Sequence, residues 1–343
     1  RVARLAAEAP PAGAREAASE LLAALQELVR CVPQDREVVR SLLLAEPEAA
    51  SADAPGLLPS VRRLLADAGD SGDGADMAFV HACGLLAAVA AGDRKLCQAA
   101  RAAGLLDLVA ERLLLATNGR CGVPTVGLRP VEAPLAAPMQ DSWASFATAA
   151  VCALEALLLE EEPDVVTGLP GGCLRLWERG GQPRQSQVVF DALLAALDRS
   201  LAENGHLVVQ RLQIGCLRAL GQLARLCRGD VFLSSGPHRS GAWQVQPAVE
   251  HVLAEGAAAL AVRVLEAAGG TYEHAAAVAL WFLAELAEGA PTERGLRVHE
   301  KLGPAGAAGA AQRAMESYPR SSAVQQQAAR VLAASKVPRF GLL

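Results

Sequence analysis

The stretch EHAAAVALWFLAELAEG, Glu273 to Gly289, limits the possible folds of this chain more than any other. Its polar side chains lie at the two ends and at Glu285, while Val278, Leu280, Trp281, Phe282, Leu283 and Leu286 point around most of a helical circumference. A surface helix keeps a broad polar face, so this one is expected to be covered on several sides. Helix-length apolar segments recur at Arg15 to Cys31, Ala75 to Gly92, Asp141 to Glu162, His206 to Cys227 and Ser321 to Ser335. Alternating β-branched and aromatic runs, which mark strands, are nearly absent.

A second form recurs between these segments. Gly56 opens GLLPSVRRLLADAG, Gly104 opens GLLDLVAERLLLATNG and Gly256 opens GAAALAVRVLEAAGG, with weaker versions at Ser186 to Ser200 and at Gly303 to Pro319. Short helical pieces such as DRKLCQAARAA, QPAVEHVLAE and PTERGLRVHEKL precede some of them. The predicted unit is therefore a short helix, a glycine turn, a medium helix, a polar turn and a long buried helix. About a fifth of the 343 residues are alanine and only 3% are aromatic. Small side chains allow close helix contacts but each buries little area, so stability must accumulate over length at roughly 25 cal/mol per Å².

The phrases RKLCQAARAAGLLDLVAERLL and VEHVLAEGAAALAVRVLEAAGG followed by EHAAAVALWFLAELAEG resemble armadillo repeats, as does LGPAGAAGAAQRAMESYPRSSAVQQQAARVLAAS. ALWFLAELA is the best single match, and its counterparts begin at Ala24, Cys83, Cys152, Cys216 and Ala328. The resemblance implies an all-α fold, a right-handed superhelical armadillo-like solenoid of roughly five to six degenerate repeats with loop insertions. It is expected to span 1–343 as a single repeat domain, with inserted loops at 116–140 and 228–247. By the same resemblance the third helix of each repeat lines the inner surface. The place of the asparagine in peptide-binding members falls on Glu27, Ala88, Ala156, Gln222, Glu285 and Ala334, none of them Asn, and Trp281 stands alone where those members repeat a tryptophan. A transport receptor for basic nuclear signals is therefore disfavoured relative to a protein-specific docking surface.

Catalytic and metal-binding patterns are missing from the sequence. None of the six histidines lies in an HExxH helix, and no CxxC pair begins a zinc site. GDGAD, Gly72 to Asp76, and LPGGC, Leu169 to Cys173, lack the further ligands of a calcium or nucleotide loop and are read as turns. The eight scattered cysteines fit reduced, buried thiols, with Cys121 set apart in an insertion. A net charge of -5 gives no general support to phosphate-backbone binding, and no run of about eighteen apolar residues marks a membrane span. Arginines such as Arg30, Arg36 and Arg40 are read as solvated, with acidic protein tails as the alternative partner.

The expected function is a noncatalytic protein-binding scaffold or adaptor with no cofactor or metal. Its candidate docking residues are Glu27, Gln222 and Glu285 on the inner helices, and His238, Arg239 and Trp243 on the second insertion. A structural subunit of a large assembly, such as a ciliary axoneme or a ribonucleoprotein, is the alternative. An enzyme with a composite site drawn from distant repeats is a further one. Protein partners, no direct nucleic-acid binding, no membrane insertion and a cytoplasmic location, with the cilium or flagellum axoneme as a special case, complete the expectation.

Overall fold

The computed structural model describes residues 12–32, 35–44, 57–67, 72–91, 93–117, 138–158, 184–202, 207–233, 256–288 and 302–335. Among them every regular element is an α-helix. The chain divides into two compact units, 1–161 with 184–196, and 162–183 with 197–343.

The first unit contains α1 (Ala12–Cys31), α2 (Asp35–Leu44), α3 (Leu57–Asp67), α4 (Gly72–Ala90), α5 (Arg94–Ala102), α6 (Leu105–Ala116) and α7 (Pro138–Leu158). Its helices pack like on like: α1, α4 and α7 form a row of long third helices, α3 lies beside α6, and α2 lies beside α5. Phe79 of α4 stacks on Phe146 of α7 at 4.3 Å between ring centroids, which ties two successive repeats. α5 starts at an Asp93 cap whose side chain accepts from the Leu96 amide, and it ends at Ala102, with Ala103 as its C-cap before Gly104. Gly104 has φ 73°, a left-handed conformation that turns the chain straight into α6.

The helix α8 (Arg184–Ala202) belongs to the first unit up to Ala196 and to the second from Leu197. The second unit continues with α9 (Leu207–Leu233), α10 (Ala257–Ala268), α11 (Glu273–Glu288), α12 (Ala307–Ser317) and α13 (Ser322–Ser335). Here α9, α11 and α13 form the row of third helices, and α10 lies beside α12. Gly256, at φ 83°, opens α10 as predicted. The corresponding turn before α12 uses Gly306 at φ 74°, three residues beyond the expected Gly303.

Several boundaries differ from expectation. Gly72 to Asp76, read as a turn, is the start of α4, because glycine and aspartate serve helix starts as readily as turns. The expected insertion 116–140 loses its ends to helix: α6 includes Ala116, and α7 begins at Pro138, a residue preorganised for a first helical position. α9 continues to Leu233, six residues into the expected loop 228–247. The central parts of both insertions, Leu169 to Cys173, and Cys121 fall outside the described residues. Of the described cysteines, Cys83, Cys97 and Cys216 are buried thiols as expected, whereas Cys31 and Cys152 are exposed.

Candidate docking surface

The burial pattern of each third helix leaves a narrow accessible stripe. On α9 this stripe is Leu207, Arg211, Ile214, Arg218 and Gln222, a spacing of four, three, four and four residues that stays on one face. Between Val209 and Leu223 nearly every other side chain is buried. On α11 the stripe narrows to His274, Ala277 and Trp281, because Ala275, Ala276, Val278, Ala279, Leu280, Phe282 and Leu283 are all buried. The central stretch is thus covered on all sides but one, as its composition predicted.

Trp281 owes its position to its neighbour. A Cβ placed on Gly221 of α9 falls 2.6 Å from Trp281 Cη2, so the indole occupies the space a side chain there would fill. The same inter-repeat position in the first unit is built the other way round. There a Cβ on Gly84 of α4 falls 2.7 Å from Cδ of Gln26 on α1, so the earlier repeat supplies the side chain and the later one the glycine.

Glu285 was expected on a docking face. It is 5% exposed, and Arg330 Nη2 of α13 donates to its Oε1 at 3.0 Å. Nη1 of the same guanidinium donates to Gln327 at 2.6 Å. Glu285 is therefore chiefly a tie between successive third helices. Gln222 is part-buried on the α9 stripe, and Glu27 is exposed on α1, where its carboxylate accepts from Cys31 and pairs with Arg30 at 3.4 Å. Ala88 and Ala334 are part-buried, and Ala156 is buried. His238, Arg239 and Trp243 lie outside the described residues. The structure thus places Glu27 in one unit and Gln222 and Glu285 in the other.

Sequence reasoning missed the arginines that tie helices together, within a repeat and between repeats. Arg40 of α2 was read as solvated, yet its Nε donates to Val89 O at 2.7 Å and its Nη2 to Ala91 O at 2.6 Å, capping the C-terminus of α4, the third helix of its own repeat. Arg101 of α5 repeats the device, donating to Leu157 O of α7 at 3.2 Å. Carbonyls at a helix C-terminus lack intrahelical partners and carry partial negative charge, so a buried guanidinium suits them. On the second-helix row Arg263 pairs with Asp198 at 3.0 Å and Arg313 with Glu266 at 2.7 Å. Both arginines stand seven residues after their left-handed glycine, a periodicity that was available in the sequence.

Among the described residues, burial shifts two groups from their ordinary ranges. Burial pushes the Cys83 thiol well above its ordinary range, with Cys152 adding to the shift, so Cys83 stays protonated and inert. Burial also raises Asp107 of α6, and the Glu111 carboxylate one turn on raises it further. Among the described residues no cluster of His, Cys, Asp or Glu is arranged to hold a metal ion, and no helix is long and apolar enough to cross a membrane.

Rows of like helices, with a left-handed glycine between the first and second helix of a repeat, define an armadillo-repeat fold. Solved structures bear this out across nearly the whole chain. An engineered protein from a structural genomics consortium matches with a TM-score of 0.54 at 17% identity, covering 98% of this chain and 98% of that one. A designed armadillo-repeat protein matches with a TM-score of 0.54 at 17% identity over 97% of this chain and 98% of that one. Another, solved in complex with the peptide (KR)4, gives 0.53 at 15% identity over 97% of both chains. No family model matches the sequence, and no curated protein matches it either.

Proposed function

We propose that the chain is a noncatalytic protein-docking module that binds its partners along the accessible stripes of its third helices. The observation that carries this reading is the stripe itself. In each unit, long helices buried on their flanks leave one accessible stripe of mixed polar and apolar side chains, such as Leu207, Arg211, Ile214 and Gln222 on α9, which serves contact rather than further packing. A designed protein of the same fold holds a peptide, which supports the reading by analogy of fold. His238, Arg239 and Trp243 remain part of the proposal as a second contact region, and Glu27 and Gln222 as stripe residues. Residence in the cytoplasm, with the ciliary axoneme as a particular setting, belongs to the same proposal. Recovery of a tagged chain in the membrane fraction would contradict it.

The test is site-specific photo-crosslinking in native extract. A crosslinkable residue at Gln222 is expected to capture a discrete protein, whereas one at Ala259, exposed on the second-helix row, is not. Equal capture at both positions, or none at Gln222 and Glu27, overturns the docking reading.

A further inference from the structure

The second helices are joined by an ionic ladder whose register runs on past its last pair. Arg263 of α10 reaches back to Asp198 of α8 at 3.0 Å, and Arg313 of α12 reaches back to Glu266 of α10 at 2.7 Å. In the first unit Arg112 of α6 likewise reaches back to Ala66 O of α3. A repeat thus stacks on the preceding one with an arginine on its leading side. In α10 and α12 that arginine stands seven residues after the turn glycine, and Glu266, which receives it, stands ten residues after Gly256. Glu316 of α12 stands ten residues after Gly306. It is exposed, and its carboxylate makes no ion pair or hydrogen bond among the described residues. The trailing side of α12 therefore offers the acid of a further rung.

The first unit carries the counterpart. Arg63 of α3 stands seven residues after Gly56, and Val61 and Leu65 beside it are buried as Ala261 and Leu265 are beside Arg263, which fixes the same register. Arg63 is exposed; it interacts within its own chain, and an exposed contact contributes little enough to be exchanged for another. The same unit leaves apolar surface open on α2, where Val38 is 57% and Leu42 51% exposed. Arg40 and Arg101 cap third helices alike, so these two side chains correspond to Ala99 and Ala103 of α5, which are small and half-buried. A stack closed to further helices ends on polar surface, and α2 does not. We propose that the chain associates head to tail with a second copy, the trailing side of α12 in one copy receiving the leading side of α3 in the other, with Glu316 and Arg63 as the pair that sets the register. Such a contact repeats between copies the one that already joins α10 to α12 within the chain. It is heterologous, so each copy keeps one open side of each kind and association does not stop at a dimer unless it closes on itself. The ion pair fixes the alignment, while covering Val38 and Leu42 supplies most of the affinity. The second-helix row is used, so this association is separate from docking on the third-helix stripe.

The experiment is sedimentation velocity of the whole chain over a range of concentrations, in which the sedimentation coefficient is expected to rise with concentration. Arg63→Glu and Glu316→Arg are each expected to weaken association about tenfold, because each sets like charges against one another at the junction. Mixed in equal amounts, the two variants again present opposite charges at both kinds of junction, and association is expected to return. Leu42→Asp is expected to weaken it as well, while Lys95→Glu, at an exposed position of α5, leaves it unchanged. Circular dichroism verifies that the variants fold, and recovery on mixing cannot come from a misfolded partner. A chain that stays monomeric at every concentration overturns the proposal. So do single variants that associate like wild type, or a mixture that fails to recover. A dimer insensitive to both charge reversals means that the copies meet on another surface, and overturns it too.

Discussion

Gly221 and Trp281 form one unit of packing split between two helices. In a helix interior, glycine to alanine normally gains about 1 kcal/mol. At Gly221 the new methyl meets the indole, and overpacking of this kind costs about 1–3 kcal/mol. Gly221→Ala is therefore expected to destabilise the protein in urea titration, and to become stabilising when Trp281 is first replaced by alanine. The same sign in both backgrounds refutes the contact. Arg330→Met leaves the Glu285 carboxylate buried without this cation and is expected to cost about 2–4 kcal/mol. Asp107 supplies a pH test. Its Oδ1 is buried without a hydrogen-bond partner among the described residues. Because its folded pKa is raised, ionisation opposes folding, and stability falls as pH rises through the raised value. Asp107→Asn is thus expected to stabilise the protein at pH 7 in urea titration, a gain that fades as the wild-type carboxyl is protonated on acidification. A gain that grows with acidity contradicts the assignment.

At the scale of the element, the left-handed glycines separate backbone strain from side-chain collision. A Cβ on Gly104, Gly256 or Gly306 meets nothing within 4 Å, so the penalty for alanine there is conformational alone. Each substitution is expected to cost about 1–2 kcal/mol, with asparagine costing less at the same site. Thermal unfolding of the three alanine and three asparagine variants checks this, and an alanine variant as stable as wild type removes the argument at that turn. Gly104 and Gly256 were legible because each sits between two helical apolar patterns. The turn before α12 was misplaced because Gly303, Gly306 and Gly309 are evenly spread over a stretch of small residues that gives no register. The helices ran longer than expected at Pro138 and Leu233 for a related reason: proline and polar residues were read as loop signals, although both are admissible at helix termini.

At the scale of the whole molecule, each unit is a stack in which a helix row meets only its neighbours, so disturbance should weaken with distance along the stack. Gly221→Ala is expected to raise amide hydrogen exchange most in α9 and α11 and less in α13. A uniform rise through all three would mean that the second unit opens as one cooperative body. Inert, buried Cys83 and the interlocked Arg40 and Arg101 belong to the stack of the first unit, and Arg330 to that of the second.

The sequence alone determined that the chain is helical, that long helices covered on nearly all sides alternate with shorter ones, and that glycines mark the turns between them. Those properties are local, since periodicity and turn chemistry act over a few residues. Which residues meet between distant helices was decided only by tertiary packing. The partners of Arg40, Arg101 and Arg330 lie 49, 56 and 45 residues away, and insertions of unequal length hide any fixed register between them. For that reason Glu285 read as a docking residue until α13 was seen to bring Arg330 against it.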